Sequence, residues 1–436
     1  IIARSKTFKS IRESMNKLGI NELDTPTLIK STPEGAKDFI VPSRKSPGNF
    51  YALPQSPQMY KQLFMLSGLK NYYQIAKCYR DEDSRKDRQP EFTQLDIEIS
   101  NGNPEIVQKI IESTMKHVLK NVYSIQVKTP FKKMTYDEAM NMYGTDKPDL
   151  RIKETISDFT DIFRDTEISF IKETIKNKGE VRGFVINKIL SRSEIDTLDE
   201  NIKNEGSPGL GWFKIENKKV TGPLAKILNE KENKELIKYD NSTVLFQSGS
   251  KHETSQYLDT LRRQIYTIQN ENTYEFLWIY DFPYFEIEND QLQPSHHPFT
   301  SPKNTAEFLS NPEDAKALHY DLVLNGIELG SGSQRINDPK LQKDVLSKWG
   351  LSESEINERF GWFIEALSYG SPQHAGFAVG IDRFIAELMN AESIRDVIPF
   401  PKTQSGLDPL TNAPSSLSSL ELEEYNISIE SLDNEQ

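Results

Sequence analysis

The sequence predicts a mixed α and β protein built from more than one domain. Its 436 residues exceed the length of an ordinary single domain. Stretches with apolar residues at helical spacing occur beside stretches in which apolar and polar residues alternate, as they do in strands. Over roughly 147–270 the amino-acid composition becomes rich in lysine, asparagine and glutamate, which predicts an inserted domain of mixed α and β character.

The N-terminal third predicts, in order, a helix, an edge strand, a loop, a hairpin and a second helix. Residues 4–18 carry apolar side chains at helical spacing, and Gly19 ends that helix. The strand over 22–28 contains Pro26, which is tolerated at a sheet edge but not within a ladder. Residues 31–54, rich in proline, glycine and serine, indicate a loop or flap. The hairpin strands and the second helix follow at Tyr72–Tyr79, Phe92–Ile99 and 104–119.

The second hairpin strand has two unlike faces. Leucine and isoleucine alternate there with Gln94, Asp96 and Glu98, so the three polar groups share one face. If this polar face is exposed to solvent, it indicates no function. If it lines a pocket, its side chains would form one side of a binding site. The segment from Arg80 to Gln89 mixes both charges and by itself is typical of a charged turn.

Another hairpin is predicted over 320–335. Asn325-Gly326 is the favoured dipeptide for a two-residue turn, and it would bring the strand with Asp321 alongside the strand with Glu328. Carboxylates on adjacent strands suit a divalent cation, especially Mg²⁺ shared with a polyphosphate. The alternative interpretation is a hairpin whose charges are solvated.

Two arginines follow glycine-containing strands. Gly330 and Gly332 would let the backbone approach a ligand closely, and Arg335 then offers a planar fork for a carboxylate or phosphate. Gly380 turns a buried strand into a helix, which places Arg383 in the first turn, where free backbone N–H groups favour anions. Arg383 would therefore bind a terminal phosphate or form a surface salt bridge.

The remaining candidates lie in a loop and near a helix start. His296 and His297 are adjacent, and adjacent imidazoles cannot easily share one metal ion. They favour hydrogen bonding to an anionic substrate, or a structural role, over a zinc site. Gln58 and Lys61 are three residues apart on a predicted helix and share one face, and Glu34 lies in the loop before them. Each of these alone would most often be a solvated polar residue.

Composition narrows the classes of function. The 53 basic and 65 acidic residues give a net charge of −12, which argues against a generally cationic nucleic-acid coat but allows a local basic groove. No run of about 18 apolar residues occurs, so no membrane span is expected. The lone Cys78 excludes an internal disulfide and a multi-cysteine metal site.

Taken together, these segments resemble class II aminoacyl-tRNA synthetases, specifically aspartyl-tRNA synthetases of the bacterial or organellar type. The helix and strand through Pro26 resemble motif 1, the dimer-interface element. Residues 78–83 with 88–96 resemble motif 2, and residues 380–383 resemble motif 3. Similarity to aspartate-specific signatures is found in residues 32–36, 53–58, 328–335 and the loop at His296.

The resemblance implies an α+β fold, in which a six-stranded antiparallel sheet is flanked by helices and a smaller α/β domain is inserted between motifs 2 and 3. The implied division is a catalytic domain over 1–146 and 271–414, an inserted domain over 147–270 and an acidic C-terminal tail over 415–436. It also implies a homodimer formed through motif 1 and the absence of the family's N-terminal anticodon-binding domain before Ile1.

The resemblance also implies that ATP, Mg²⁺ and L-aspartate meet in one pocket. Arg80 would grip the α-phosphate and the reacting carboxylate as a catalytic residue, together with Arg383. Asp321 and Glu328 would hold Mg²⁺, while Phe92 and Arg383 would sandwich adenine. Aspartate contacts would come from Glu34, Gln58, Lys61, Arg80, Asp96, His296, His297 and Arg335. ATP contacts would come from Arg80, Asp81, Glu82, Gln89, Phe92, Glu328, Gly380, Ile381, Asp382 and Arg383.

The implied activity is that of an aspartate–tRNA ligase, which forms aspartyl adenylate and pyrophosphate and then passes aspartate to the 3′ end of tRNA(Asp). One alternative is a ligase that gives activated aspartate to ammonia or another small acceptor. Another is a non-catalytic paralogue. Residues 393–402 and the lysine- and asparagine-rich composition favour the mitochondrial matrix over the bacterial cytoplasm.

Overall fold

The computed structural model of the protein divides into two compact units. Unit 1 comprises Ile1–Lys132, Tyr280–Leu322 and Leu329–Gln436, and unit 2 comprises Lys133–Ile279 and Val323–Glu328. The residues that the structure describes are 1–31, 35–82, 87–266, 268, 272–288 and 291–429.

Helices lie in both units, and several begin at caps that the sequence provides. At the start of the third helix, for example, the Asn103 side chain accepts a hydrogen bond from Ile106 N, and Pro104 occupies the first turn. The α-helices among the described residues are α1 (Ile2–Lys17), α2 (Gln58–Leu66), α3 (Pro104–Tyr123), α4 (Tyr136–Tyr143), α5 (Ser169–Lys176), α6 (Arg192–Asn204), α7 (Glu230–Leu236), α8 (Lys251–Ile265), α9 (Thr305–Ser310), α10 (Pro339–Lys348), α11 (Glu353–Ser368), α12 (Ile381–Leu388) and α13 (Ser419–Glu424).

Strands form two large sheets and two short hairpins among the described residues. They are β1 (Ile40–Pro42), β2 (Phe50–Ala52), β3 (Asn71–Tyr79), β4 (Glu91–Ser100), β5 (Lys132–Thr135), β6 (Ser157–Asp158), β7 (Glu180–Ile186), β8 (Gly211–Glu216), β9 (Lys219–Thr221), β10 (Ser242–Gly249), β11 (Phe276–Tyr280), β12 (Phe285–Glu288), β13 (Gln291–Pro294), β14 (His319–Leu324), β15 (Ile327–Gln334) and β16 (His374–Gly380).

The larger sheet has the strand order β3-β4-β16-β15-β14-β11-β5. The pairings of β3 with β4, β4 with β16 and β16 with β15 are antiparallel. Helices α2 and α12 pack against β4, and α3 packs against β16. The expected sheet flanked by helices is therefore present, but within the described residues it has seven strands instead of six. The four-residue β5 joins the edge beside β11 and is too short to show a recognisable alternation.

Unit 2 contains its own sheet, with the strand order β6-β7-β10-β8-β9. The pairings that join β7, β10 and β8 are antiparallel. Phe163, Phe213 and Phe246 pack together on this sheet, with ring centroids between 5.5 and 6.2 Å apart. The region thus has the mixed α and β character that its sequence predicted.

The hairpin predicted over 320–335 is confirmed, and its glycines permit a close approach to β16, while the predicted approach to a ligand stays a prediction. Asn325 and Gly326 both have positive φ, +53° and +85°, as a two-residue turn requires. A Cβ at Gly330 would lie 2.1 Å from Ala378 O, and one at Gly332 would lie 2.3 Å from Gly376 O. These glycines are needed because β16 approaches closely, and this explains them without a ligand.

The first predicted helix is confirmed as α1, whereas the strand predicted over 22–28 is not formed. Among these residues the structure has only an isolated parallel bridge between Glu22 and Tyr73. Pro26 cannot donate to a ladder, and its segment does not pair further along the edge of β3. The predicted flap over 31–54 contains the short hairpin of β1 and β2.

Candidate active site

Four ionisable side chains converge in the interior of unit 1. Lys61 on α2 places Nζ 2.6 Å from Asp96 Oδ1 and 3.2 Å from Glu98 Oε2. Arg335, just after β15, donates from Nε and Nη2 to the two Glu98 oxygens at 3.0 and 3.1 Å. The side chains are at most 2% exposed. The polar row predicted on β4 therefore faces the protein interior.

Such a buried cluster is poorly explained as a device for stability. Removing each charge from water costs several kcal/mol, and well-packed apolar residues usually serve stability as well or better. Burial raises the pKa of Asp96, although the charge of Lys61 opposes this. Burial would also raise the pKa of Glu98, but the charges of Arg335 and Lys61 hold it below its ordinary value. The cluster is better explained as a set of charges held ready for a ligand.

His297 supports the Arg335 side of this cluster. Its Nε2 lies 2.6 Å from Arg335 Nη1, which also donates to Ser333 Oγ at 2.7 Å. Burial, and then the positive charge of Arg335, hold the pKa of His297 well below its usual range. The neutral ring can therefore accept the hydrogen bond from Arg335, and the guanidinium is fixed on two sides.

His296 is directed towards a different candidate residue. Its ring stacks on His319 with centroids 3.8 Å apart, and His319 Nε2 lies 2.8 Å from Asp321 Oδ1. Burial, followed by the charge of Arg335, lowers the pKa of His319 to about 3. Burial also lowers the pKa of His296. The adjacent histidines thus orient two predicted site residues, Arg335 and Asp321, through neutral rings.

These buried histidines predict a loss of stability in mild acid. Burial lowers the pKa of His296, His297, His319 and His374 in the folded protein. Their contribution to stability is complete above the unfolded pKa of about 6.5 and is lost as pH falls below it towards the folded values. We expect the midpoint temperature of thermal unfolding of unit 1, measured by calorimetry, to decrease as the pH is lowered from about 6.5 to about 5.5. Unfolding of His319→Gln should take up one proton fewer than unfolding of the wild type. A midpoint that does not change over this range would contradict neutral histidines.

Arg80 lies beside an aromatic ring on the same face of the sheet. Its guanidinium is 5.1 Å from the centroid of Phe92, which shares a face of β4 with Asp96. Arg80 Nε and Gln58 Nε2 are buried, and neither has a hydrogen-bond partner among the described residues. Unsatisfied buried donors call for an explanation. An anion bound beside this face of the sheet would accept hydrogen bonds from these two donors.

The motif 3 segment contributes one accessible cation and one buried carboxylate. Arg383, in the first turn of α12, has Nη2 3.6 Å from Asp87 Oδ2 and a side chain that is 30% exposed. The Asp382 carboxylate instead accepts hydrogen bonds from Arg4 and, at 2.7 Å, from Thr93 N. Asp382 therefore ties the start of α12 to α1 and β4. Gly380 ends β16, and Ile381 is fully buried at the helix start.

The predicted ATP contacts near the motif 2 turn are engaged with the protein. Gln89 Oε1 accepts a hydrogen bond from Lys402 N at 2.9 Å. Glu82 Oε2 accepts one from Arg88 Nη1 at 3.3 Å. Asp81 N donates to a backbone carbonyl at 3.0 Å. These residues lie at the turn end of the β3–β4 hairpin, and their roles towards ATP stay predictions.

Three other predicted residues are the acidic side chains Asp321, Glu328 and Glu34. Glu328 lies on β15, and Asp321, on β14, is largely buried beside His319. Glu34 lies outside the described residues.

Within the part of the chain that the structure describes, no group of three or more His, Cys, Asp or Glu is placed to hold a metal ion. No helix there is long and apolar enough to cross a membrane.

Sequence reasoning missed residues that complete the charge cluster. Glu98, which bridges Lys61 and Arg335, was recognised only as part of a polar row. Ser333, which accepts from Arg335 Nη1, and His374, whose Nε2 is 3.0 Å from Gln62 Oε1, lie beside it. The alternation on β4 was the available signal for Glu98. We find no local pattern that would have identified the other two.

Comparison with known proteins shows the family to which the chain is related. Residues 1–404 match the family described as tRNA synthetases class II (D, K and N). The chain belongs to this family. The aspartate–tRNA(Asp/Asn) ligase of Hydrogenobaculum sp. is 44% identical over 452 residues, covering 98% of this chain and 76% of that protein. The aspartate–tRNA ligase of Thermosipho africanus is 44% identical over 438 residues, covering 98% and 75%.

Solved structures of this class II tRNA synthetase family show the same fold. Asparaginyl-tRNA synthetase of Pyrococcus horikoshii, complexed with asparaginyl-adenylate, has a TM-score of 0.52 at 16% identity, covering 93% of this chain and 69% of that chain. The Entamoeba histolytica enzyme, in complex with the same adenylate, has a TM-score of 0.53 at 16% identity, covering 94% and 68%. The expected α+β class II fold is confirmed. The sequence relatives named above are bacterial, which supports the bacterial type and lends no support to a mitochondrial location.

Proposed function

We propose that this protein is an aspartate–tRNA ligase of the bacterial type. It would activate L-aspartate with ATP and transfer the aspartyl group to the 3′ end of tRNA(Asp). The observation that carries the proposal is the pair of fully buried cations, Lys61 and Arg335, held around Asp96 and Glu98. The names of relatives that are 44% identical over nearly the whole chain support it.

Recognition of aspartate follows from the charges of this cluster. Arg335 and Lys61 suit the side-chain carboxylate, because each of its two oxygens can accept a charge-assisted hydrogen bond from one of these cations. Asp96 suits the α-ammonium group, in addition to the predicted Glu34. The unpartnered Gln58 Nε2 supplies a further donor. Asparagine carries a neutral amide in place of the second carboxylate, so its binding would not offset the free-energy cost of desolvating these cations.

Activation needs positioning and charge stabilisation more than a protein nucleophile. The aspartate carboxylate would attack the α-phosphorus of ATP, a new C–O–P bond would form, and pyrophosphate would leave. Arg80 is placed beside Phe92, where its unpartnered Nε could donate to the α-phosphate as charge develops there. The planar groups of Phe92 and Arg383 suit stacking against adenine.

We infer that Asp321 and Glu328 hold Mg²⁺ when ATP is bound. Their carboxylate oxygens are the hard ligands that this ion prefers, and one or two carboxylates together with substrate phosphates suffice. The hydrogen bond from neutral His319 orients the Asp321 carboxylate, as supporting groups commonly do for metal ligands. The bound ion would neutralise polyphosphate charge.

We also infer a homodimer formed through the motif 1 segment. Large apolar side chains are exposed along it, including Ile2 at 75%, Leu18 at 40% and Leu28 at 51%. These side chains support the inference if they form one surface, because contiguous apolar patches mark interaction sites. Light scattering of the purified protein distinguishes the dimer from a monomer, and a monomeric mass would refute this inference.

The proposal is tested by aspartate-dependent ATP–pyrophosphate exchange, followed by charging of tRNA(Asp) and tRNA(Asn) transcripts. Both transcripts belong in the assay because the named relatives include ligases of both specificities. We expect exchange with aspartate, little with asparagine, and charging of tRNA(Asp). Exchange without charging, but with asparagine formed from ammonia, would favour the small-acceptor ligase. No exchange at all would favour the non-catalytic paralogue.

A further inference from the structure

Phe400 combines an unfavourable backbone conformation with an exposed aromatic ring. Its φ is +51°, in the left-handed region that bulky residues rarely adopt. The following residue is Pro401, which further disfavours helical backbone angles at Phe400. The residue is also 72% exposed, so burial of the ring in this chain does not offset the strain. Strain of this kind tends to be kept where a side chain has a function.

The residues around Phe400 hold it in place. Val397 and Ile398, which precede it by three and two positions, are 5% and 6% exposed and anchor the segment in the interior of unit 1. After it, Lys402 N donates to Gln89 Oε1 at 2.9 Å, and Gln89 is itself buried. The ring is therefore presented from a short segment that is fixed on both sides.

The second anchor places this segment beside the proposed activation site. Gln89 follows the motif 2 turn, and Arg80 N donates to the carbonyl of Pro90 at 2.9 Å. The end of the β3–β4 hairpin thus carries Arg80 on one side and supports the Phe400 segment on the other. The acceptor end of a tRNA must reach the activated carboxylate near Arg80, and the Phe400 segment is held at the same end of the hairpin.

We infer that Phe400 is a stacking platform for a base in the single-stranded 3′ end of the tRNA. The inference rests on the proposed function. Aromatic side chains stack on any base, because every base has a π-face, and such platforms are a common means of binding single strands. Lys402, two residues further on, has its Nζ 3.7 Å from Asp408 Oδ2 and a side chain that is 27% exposed, so it could exchange this partner for a neighbouring phosphate. Phe400 acts here as a positioning residue and takes no part in adenylate formation.

The test compares Phe400→Gly with Phe400→Trp. Glycine removes the ring and also tolerates the positive φ, so the fold should keep or gain thermal stability. We expect Phe400→Gly to lower kcat/KM for tRNA charging by about tenfold or more, the range of one lost stacking contact. Aspartate-dependent ATP–pyrophosphate exchange, measured without tRNA, should stay at the wild-type rate. Phe400→Trp should restore charging.

Leu410→Ala is the matched control, because Leu410 is also 72% exposed and lies in the same C-terminal region. It should leave both exchange and charging unchanged. A tRNA truncated at its 3′ single-stranded end should bind the wild type and Phe400→Gly equally. Normal charging by Phe400→Gly, an equal loss of exchange, or a changed oligomeric mass in that variant would each overturn the inference. Absence of exchange in the wild type would instead refute the proposed function itself.

Discussion

Arg335→Leu is expected to reduce aspartate-dependent ATP–pyrophosphate exchange by about 10³-fold, while the protein remains folded. The wild-type guanidinium is fixed by Glu98, His297 and Ser333, so it is preorganised for a carboxylate. Losing one desolvated, hydrogen-bonded charge from a binding site commonly costs about 2–5 kcal/mol. Every 1.4 kcal/mol corresponds to about a factor of ten, which gives the expected loss.

The same substitution should also lower stability, and two controls separate the effects. Among the described residues, Glu98 would keep Lys61, 3.2 Å away, as its one cationic partner, and breaking one side of a buried ion pair costs about 3–5 kcal/mol. Arg335→Lys keeps the charge without the fork, so it should restore much of the stability and little of the exchange. Arg359→Leu, on the exposed face of α11, should change neither quantity. Wild-type exchange by a folded Arg335→Leu protein would contradict the assignment of Arg335 to the aspartate carboxylate.

Features decided by nearby residues were predictable from the sequence. The Asn325-Gly326 turn, the helix α1 and the alternation along β4 each depend on residues within a few positions of one another. The prediction of a strand over 22–28 was wrong because strand formation also depends on residues far away in the sequence. Its apolar residues suit a strand, but pairing needs a partner edge, and the chain places only Glu22 there, opposite Tyr73.

The structure of the charge cluster could not be predicted from local patterns. Lys61 precedes Asp96 by 35 positions, and Arg335 follows Glu98 by 237. The alternation on β4 shows that Asp96 and Glu98 share a face, but it does not show what that face meets. The resemblance to a family supplied Lys61 and Arg335 as separate candidates. Only the packing of α2 against β4, and the sheet order that brings β15 within reach, reveals Glu98 as the residue that joins them.

Gly376→Ala, a substitution on β16 beside β4, is expected to disrupt the charge cluster of Lys61, Asp96, Glu98 and Arg335. A Cβ at Gly376 would lie 1.9 Å from Glu98 Oε2 and 2.5 Å from Ile97 O, so either the carboxylate or the strand must move. Overpacking of this kind costs about 1–3 kcal/mol of folding free energy. Because Glu98 positions both Lys61 and Arg335, a shift of about 1 Å should also reduce exchange by about 100-fold.

Gly361→Ala distinguishes this steric effect from a general intolerance of alanine in place of glycine. Gly361 lies within α11, where an added Cβ would meet no heavy atom within 4 Å beyond the adjoining backbone of the helix itself. Alanine should therefore leave exchange unchanged and stabilise the helix by up to about 1 kcal/mol. If Gly376→Ala retained both its melting temperature and its exchange rate, Glu98 could not be held as tightly as its contacts with Arg335 and Lys61 require. Aspartate recognition would then depend on Arg335 and Lys61 without a fixed carboxylate between them.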